Sequence, residues 1–475
     1  MLIASRKKLL LLAVCWTLFL VHLLSRWSHW RALSASRGKF ETINLHAQFW
    51  KTFKPVLDAY APDCPSPQRS ELAPSVRFNP NKEETRPDLL EMPESDVNKM
   101  RQKHAGFVEA IESLHPHYER GTRGLVTTAG GPYLPVLTIS LRMLRRTGSK
   151  LPMEVFLASD EEYEPYICNV VFPKLNAKCI VMDHILKASA DDVDIGAYQL
   201  KPFAMLFSSF EDILFLDADA FPIRDPSVLF SSDPFVTYRM VTWPDFWGSS
   251  TSKLYYQISS QAMPAMTARA STESGEILMS KPTHRKTLML STYYNYYGPS
   301  HYYALFSQGA AGEGDKETFL AAAAVVSESF YQVSEPIQAL GHRSADGGMV
   351  GSAMVQYDPT EDYELTQNGL WRVKDPAVAP PPRPFFVHAN VPKFNPATIF
   401  DAHIIDPVRD ESGNYVRPWT IPDDVVEQLG EDVERQFWSE IKWVACNLES
   451  KFASWKGRTG ICEHVKSYMK VVFGS

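Results

Sequence analysis

Between Gly124 and Asp219 short apolar runs alternate with helix-patterned segments, and the last run ends in a pair of carboxylates. Gly124-Leu125-Val126-Thr127-Thr128 reads as a strand that closes on small and hydroxyl residues. Gly130-Gly131-Pro132 makes a turn, and Leu134 to Arg146 carries Leu137, Leu141 and Leu144 on one helical face. Glu154–Ala158 and Lys178–Met182 read as two more strands, Leu200 to Phe210 as a helix, and Asp212-Ile213-Leu214-Phe215-Leu216 as a fourth strand leading into Asp217-Ala218-Asp219. Such alternation predicts a mostly parallel sheet of α/β class that binds ligands at the carboxyl ends of its strands. Beyond Asp219 the pattern is mixed. The rigid run Pro380–Pro384 feeds one further short strand, Phe385-Phe386-Val387, which ends at His388, and an aromatic, helical tail follows from Asp423 to Val472.

In a strand, residues i and i+2 share a face, so Asp217 and Asp219 can project together and hold a divalent cation. Asp-x-Asp alone is a weak signal. Asp192-Val193-Asp194 has the same spacing but follows no apolar strand, and reads as a polar loop. His388, at another strand end, adds an imidazole of the kind that Mn²⁺ accepts beside carboxylates; on spacing alone a lone histidine is more often structural. Ser95-Asp96 looks like a helix N-cap, with Val97, Met100, Phe107, Val108, Ile111 and Leu114 forming the apolar stripe behind it.

Composition narrows the class. The 475 residues are 45% hydrophobic and 22% charged, with a formal net charge of −7, which excludes a wholly disordered chain and gives no reason to expect a nucleic-acid partner. Leu9 to Leu24 is an apolar run after Arg6-Lys7-Lys8, roughly 24 Å long as a helix, which suits a thin bilayer once Ser25 to Trp27 are added. It predicts a single N-terminal signal anchor with the body lumenal; a cleaved signal peptide is the alternative. In that oxidising setting the short loops Cys168–Cys179 and Cys446–Cys462 suggest two bridges, leaving Cys64 over. No Asn-x-Ser/Thr sequon occurs. Seven prolines between positions 62 and 93 mark a stem or an extended wrapping segment. Before it, Phe49, Trp50, Phe53, Val56, Leu57 and Tyr60 at helical spacing could dock on the body.

The run from Tyr198-Gln199-Leu200-Lys201-Pro202-Phe203-Ala204 through Asp217-Ala218-Asp219 to Asp225-Pro226 resembles glycosyltransferase family 71. So do Trp243-Pro244-Asp245-Phe246-Trp247, Glu273-Ser274-Gly275-Glu276, Gly314-Asp315-Lys316-Glu317-Thr318-Phe319 and Val387-His388-Ala389-Asn390. The family includes the fungal α-1,2-mannosyltransferases that branch cell-wall mannan. The resemblance covers about residues 120–395 and departs at Glu276, where the family's pattern places Gln. It implies a GT-A fold, a single Rossmann-like mixed sheet flanked by helices, with GDP-mannose as donor, Mn²⁺, and mannan or N-glycan outer chains as acceptor. It also implies a type II Golgi membrane protein and membership of a mannosyltransferase complex. On that reading residues 1–8 form a cytoplasmic tail, 9–25 the anchor, 26–118 the stem and wrapping segment, and 119–475 the catalytic domain with a helical extension. Asp217, Asp219 and His388 become the metal ligands. Thr127, Thr128, Tyr133, Lys201, Asp217 and Lys393 become contacts to the nucleotide and its diphosphate. Asp315 and Glu273 become the carboxylates at the sugar or acceptor. Trp243, Trp247 and the run Tyr293-Tyr294-Asn295-Tyr296-Tyr297 offer rings that could stack on mannose. An α-donor giving an α-product requires retention of configuration, by a carboxylate nucleophile or by front-face attack. The competing readings are an α-1,3-mannosyltransferase of the same family, a lectin-like subunit with a decayed site, and a haloacid-dehalogenase-type phosphatase. The last also carries Asp-x-Asp after an apolar strand, but usually with Thr or Val where Phe221 stands.

Overall fold

The computed structural model describes residues 42–474 except 190–192 and 194. The anchor expected at 9–25 and the tail before it lie outside the described residues, as do Asp192 and Asp194. Among the described residues no helix is long and apolar enough to cross a membrane.

The described residues open with helix α1 (42–59), followed by α2 (Glu94–Ala110), strand β1 (Glu119–Thr128), α3 (Tyr133–Arg146), β2 (Met153–Leu157) and β3 (Ala177–Val181). Then come α4 (Leu200–Leu206), β4 (Phe210–Leu216), β5 (Ala220–Pro222), β6 (Met240–Pro244), β7 (Thr272–Ser280) and α5 (Lys281–Tyr296). The remainder includes α6 (Thr318–Val326), β8 (Tyr331–Gln332), β9 (Gln338–Arg343), β10 (Met349–Tyr357), β11 (Pro384–His388), α7 (Val433–Leu448) and α8 (Ile461–Phe473).

A seven-stranded mixed sheet runs in the order β8-β6-β7-β4-β1-β2-β3. Its β4-β1-β2-β3 half is parallel, and β7 lies antiparallel against both β4 and β6. β4 is covered on both faces. Ile213 and Phe215 point into a core built with α1, α2, α4 and α5, whereas Leu214 and Leu216 point into a second core built with α3, α7 and α8. A central strand covered on both sides must be apolar at almost every position, which is how β4 reads.

The expectation of one sheet is corrected. A second, antiparallel sheet runs β9-β10-β11-β5. β5 begins directly after Asp219, so Asp217-Ala218-Asp219 is the point at which the chain leaves one sheet and enters the other. Two smaller corrections follow from local sterics and turn chemistry. The helix expected over 200–210 stops at Leu206, because Phe210 is already drawn into the β4 ladder. Helix α2 starts at Glu94, with Pro93 at the cap and no side-chain cap hydrogen bond, so Ser95-Asp96 lies inside its first turn.

Trp50, Phe53 and Leu57 of α1 are fully buried. The Trp50 indole N–H donates to Leu186 O at 3.0 Å, and its ring packs edge-on against Phe203. The proline-rich residues 62–93 lie along the body. Arg86 donates to Ser249 Oγ and Thr251 O, Phe78 N donates to Phe246 O, and Arg77 bridges to Trp247. Cys168–Cys179 and Cys446–Cys462 are bridged and Cys64 is free.

Candidate functional site: a carboxylate cluster where two sheets meet

Three strand ends converge. β4 delivers Asp217 and Asp219, β11 delivers His388, and the first half of β7 delivers Glu273 to Glu276. His388 stands 169 residues after Asp219, yet the pairing of β11 with β5 sets it opposite Ala220, and Ala389 N donates to Asp219 O at 3.0 Å. The imidazole Nε2 then lies 3.1 Å from Asp219 Oδ1, and Nδ1 lies 3.5 Å from Glu273 Oε1.

β7 is irregular here. Thr242 pairs with Ile277 but Trp243 pairs with Glu273, so Ser274, Gly275 and Glu276 form a bulge on that edge. A bulge turns consecutive side chains toward one region that a regular strand would separate. Gly275 is required by close approach: a Cβ there would sit 2.6 Å from His388 Nδ1 and 2.8 Å from Glu273 Oε2. Gly275 O accepts from Asp217 N at 2.8 Å, tying the bulge to the carboxylate pair.

The charges are interlocked. Lys201, buried on α4, donates to Ser274 O at 2.7 Å and Ser274 Oγ at 2.9 Å, and lies 2.9 Å from Asp315 Oδ2 and 3.3 Å from Asp217 Oδ1. Lys393 pairs with Asp219 Oδ2. Burial would drive the Asp219 carboxyl up, but His388 and Lys393 outweigh it and hold Asp219 far below the usual carboxylate range. Asp217 goes the other way, raised by burial that Lys201 and His388 offset only in part. Burial pushes down on His388 and Lys201, but the surrounding carboxylates raise both. Glu276 is fully buried, with neither carboxyl oxygen hydrogen-bonded among the described residues. Burial and the charge of Glu273 raise it well above an ordinary glutamate, while Glu273 is held low by His388.

The donor set fits a divalent cation. One ligand atom each from Asp217, Asp219 and His388 lies within 4.8 Å of the others, and Glu273, Glu276 and His388 form a second such group sharing the imidazole. Two carboxylates and an imidazole are a mixed oxygen–nitrogen set of the kind Mn²⁺ takes.

The other residues singled out from sequence divide. Thr127 and Thr128 close β1, which pairs with β4; Thr127 is buried with its hydroxyl unpartnered among the described residues, and Thr128 is half-buried. Tyr133, at the start of α3, is 45% exposed. The Lys393 ammonium is half-buried; desolvation pushes it down, but Asp219 outweighs that and raises it. The Asn395 amide donates to Pro132 O, holding the Lys393 loop against the turn before Tyr133. Asp315 is only 3% exposed and its carboxylate holds Lys201 and the Ser274 hydroxyl, so it braces the cluster from behind. Glu317 accepts from Thr272 N at 2.7 Å and Arg269 at 2.9 Å, fixing the start of β7. Aromatics at this density are more often core than sugar platforms, and Trp243, Tyr293 and Tyr294 lie in the core. Trp243 is fully buried with its indole on Tyr357 O, and Tyr293 and Tyr294 are core residues under α1 and α2. Their hydroxyl and indole groups reach buried partners, so these aromatics can fill a core without orphaned polar atoms. The bracing role of Ser274 was missed. Its signal was the Ser between Glu273 and Gly275 one strand away from Asp217.

A family model described as "Mannosyltransferase putative" matches residues 122–270 and 265–358. Alpha-1,2-mannosyltransferase MNN21 of Candida albicans is 32% identical over 80% of this chain and 66% of its own length. Alpha-1,2-mannosyltransferase MNN2 of Saccharomyces cerevisiae is 36% identical over 59% of this chain and 53% of its own length. The chain thus spans between about half and two thirds of these curated relatives. Among solved structures, the galactosyltransferase LgtC in complex with donor and acceptor sugar analogues covers 44% of this chain and 73% of its own at 13% identity. Its TM-score of 0.30 is too low to carry an argument about fold or function. On the family model and the sequence relatives, the chain belongs to the mannosyltransferase family that contains these fungal α-1,2-mannosyltransferases.

Proposed function

We propose that this chain is a GT-A-type retaining mannosyltransferase that moves mannose from GDP-mannose to mannan or N-glycan outer-chain acceptors, forming α-1,2 linkages. We further propose that it acts in the Golgi lumen behind a single N-terminal anchor. The observation that carries the reading is the convergence of Asp217, Asp219 and His388 at the junction of two sheets, in a chain of this family. Asp217, Asp219 and His388 would hold Mn²⁺, which when bound neutralises charge on a diphosphate leaving group.

The chain's own groups divide the remaining work. Lys393 keeps 39% of its side chain exposed beside Asp219 and supplies a cation toward the open side, where a diphosphate would lie. Lys201 is enclosed and orients Asp217 from behind. Thr128 and Tyr133 border the same strand ends and suit the nucleotide. Glu273, kept ionised by His388, is the carboxylate placed to accept from sugar hydroxyls or to face the anomeric carbon. Incubating the full chain with GDP-mannose, Mn²⁺ and an α-1,6-mannan acceptor tests the reading. New α-1,2-mannosyl product by linkage analysis is expected. Absence of both transfer and donor hydrolysis would overturn it.

A further inference from the structure

A concavity lies at the end of β6, the strand that pairs with the Glu273 end of β7. It encloses about 650 Å³, within the range of sites that hold small ligands. One wall is the end of β6 with Asp245 and Phe246, a second is the proline-rich segment at Phe78, and a third is the loop carrying Trp371. The walls are fastened to one another: Phe78 N donates to Phe246 O at 2.9 Å, and the Asn81 amide donates to Lys374 O at 2.9 Å.

Its chemistry is that of a pyranose site. A pyranose offers one apolar C–H face and a rim of hydroxyls, so it needs flat rings and planar polar groups together. Phe78 and Phe246 are half-buried, and Trp371 is left 45% exposed at the rim. Asp245 is the carboxylate of the cleft, with 12% of its side chain exposed. Its Oδ1 accepts from Phe246 N and its Oδ2 from Lys316 at 2.8 Å, which leaves a lone pair on each oxygen for a hydroxyl donor. Gln332 and Arg269 complete the polar lining.

Position ties the cleft to the cluster. Trp243 is the strand partner of Glu273, and Asp245 follows two residues later, about 7 Å along the strand. Lys316, which holds Asp245, is the neighbour of Asp315, which holds Lys201. A chain of sugars with one hydroxyl at Glu273 would run along β6 toward the cleft.

We propose that this cleft binds the non-reacting sugars of an oligosaccharide acceptor, with Trp371 as the stacking ring; the inference rests on the mannosyl-transfer reading above. The proline-rich segment is then part of the acceptor site. The test is calorimetric titration of the full chain with α-linked mannotriose in the absence of donor, for wild type, Trp371→Ala and Trp371→Phe. Expected are a dissociation constant raised about tenfold in Trp371→Ala, partial recovery in Trp371→Phe, and one shared thermal midpoint. Equal affinity in wild type and Trp371→Ala, or no saccharide binding by wild type, would overturn it. Trp371-dependent binding by a chain that transfers no mannose would uphold the cleft and overturn the transfer reading.

Discussion

The two ends of the central sheet each bury a lysine and a histidine, and they treat them in opposite ways. At the carboxyl end of β4, burial pushes Lys201 and His388 down, but Asp217, Asp219, Glu273 and Asp315 crowd around them and raise both. At the far end, Lys281 is lowered to about 7 and His284 to about 4, both chiefly by burial. There Lys281 donates to the carbonyls of Leu206 and Ser208, while the nearby carboxylates already have partners. Glu154 accepts from Ser209 N and lies 3.0 Å from Lys178; Asp212 is held by Arg239 at 2.9 Å. Burial is common to both ends, so it cannot explain the contrast. What differs is a carboxylate surplus, present only where strands end beside the second sheet. Folding alone gives no reason to collect like charges beside a buried Glu276 that has no hydrogen-bond partner among the described residues. A divalent cation does.

The sharpest way to break this comparison is to exchange the charge at one end and read the other. Asp219→Asn keeps the shape of the side chain and removes one ligand charge. Mannose transfer is expected to fall on the order of 10³-fold with a thermal midpoint near wild type. Near-normal turnover with unchanged Mn²⁺ dependence would remove the cation from the account. His388→Ala should cost less, roughly 10²-fold, weakening Mn²⁺ and GDP-mannose together and recovering in part with excess Mn²⁺. A variant that lost thermal stability but kept its Mn²⁺ requirement would make His388 a core residue.

Much of this end was legible in the sequence, for a physical reason. Strands covered on both faces, such as β4 in the parallel half and β11 in the second sheet, are apolar throughout, so the polar residues at their ends, Asp217, Asp219 and His388, stand out. The opposite end was not legible: Lys281 and His284 open an ordinary-looking helix, and nothing local marks them as buried. The second sheet was also hidden, because β5 is three residues long and finds its partner β11 far along the chain. Long-range pairing of short strands leaves no periodicity to read. Aromatic density favours a core without locating it: Trp243 and the tyrosine run look identical in sequence whether they face a sugar or a core.

Lys281→Met probes the far end alone. Transfer should be unchanged, while stability responds to pH. A lysine lowered to about 7 when folded, against about 10.4 unfolded, binds its proton more weakly in the native state. The unfolded chain therefore holds the extra proton between those values, and stability rises with pH across that window. Between pH 7 and 9 wild type should gain about 2 to 3 kcal/mol from this group, and the variant should lack that gain in chemical-denaturation curves. An equal pH response in both proteins would show that Lys281 is not the titrating group.

His284 gives the smaller effect and the acid side of the same comparison. Its Nε2–H donates to Ser329 O at 2.7 Å, so the neutral ring already has the bond it needs. Burial lowers its pKa to about 4, and Arg239 adds to that; only the Ser329 carbonyl opposes it. An unfolded histidine takes its proton near 6.5, so from there down to about 4 the unfolded state binds a proton that the native state refuses. Native stability must then fall as pH drops through that window, by at most about 1.4 kcal/mol per pH unit for one group. His284→Gln retains an N–H donor for Ser329 O and cannot titrate. Its denaturation free energy should therefore decline less steeply than wild type between pH 6.5 and 4, even though its stability at pH 7 is no greater. Parallel slopes for the two proteins would mean that His284 already binds its proton when folded, and the far end would then be less starved of negative charge than its geometry indicates.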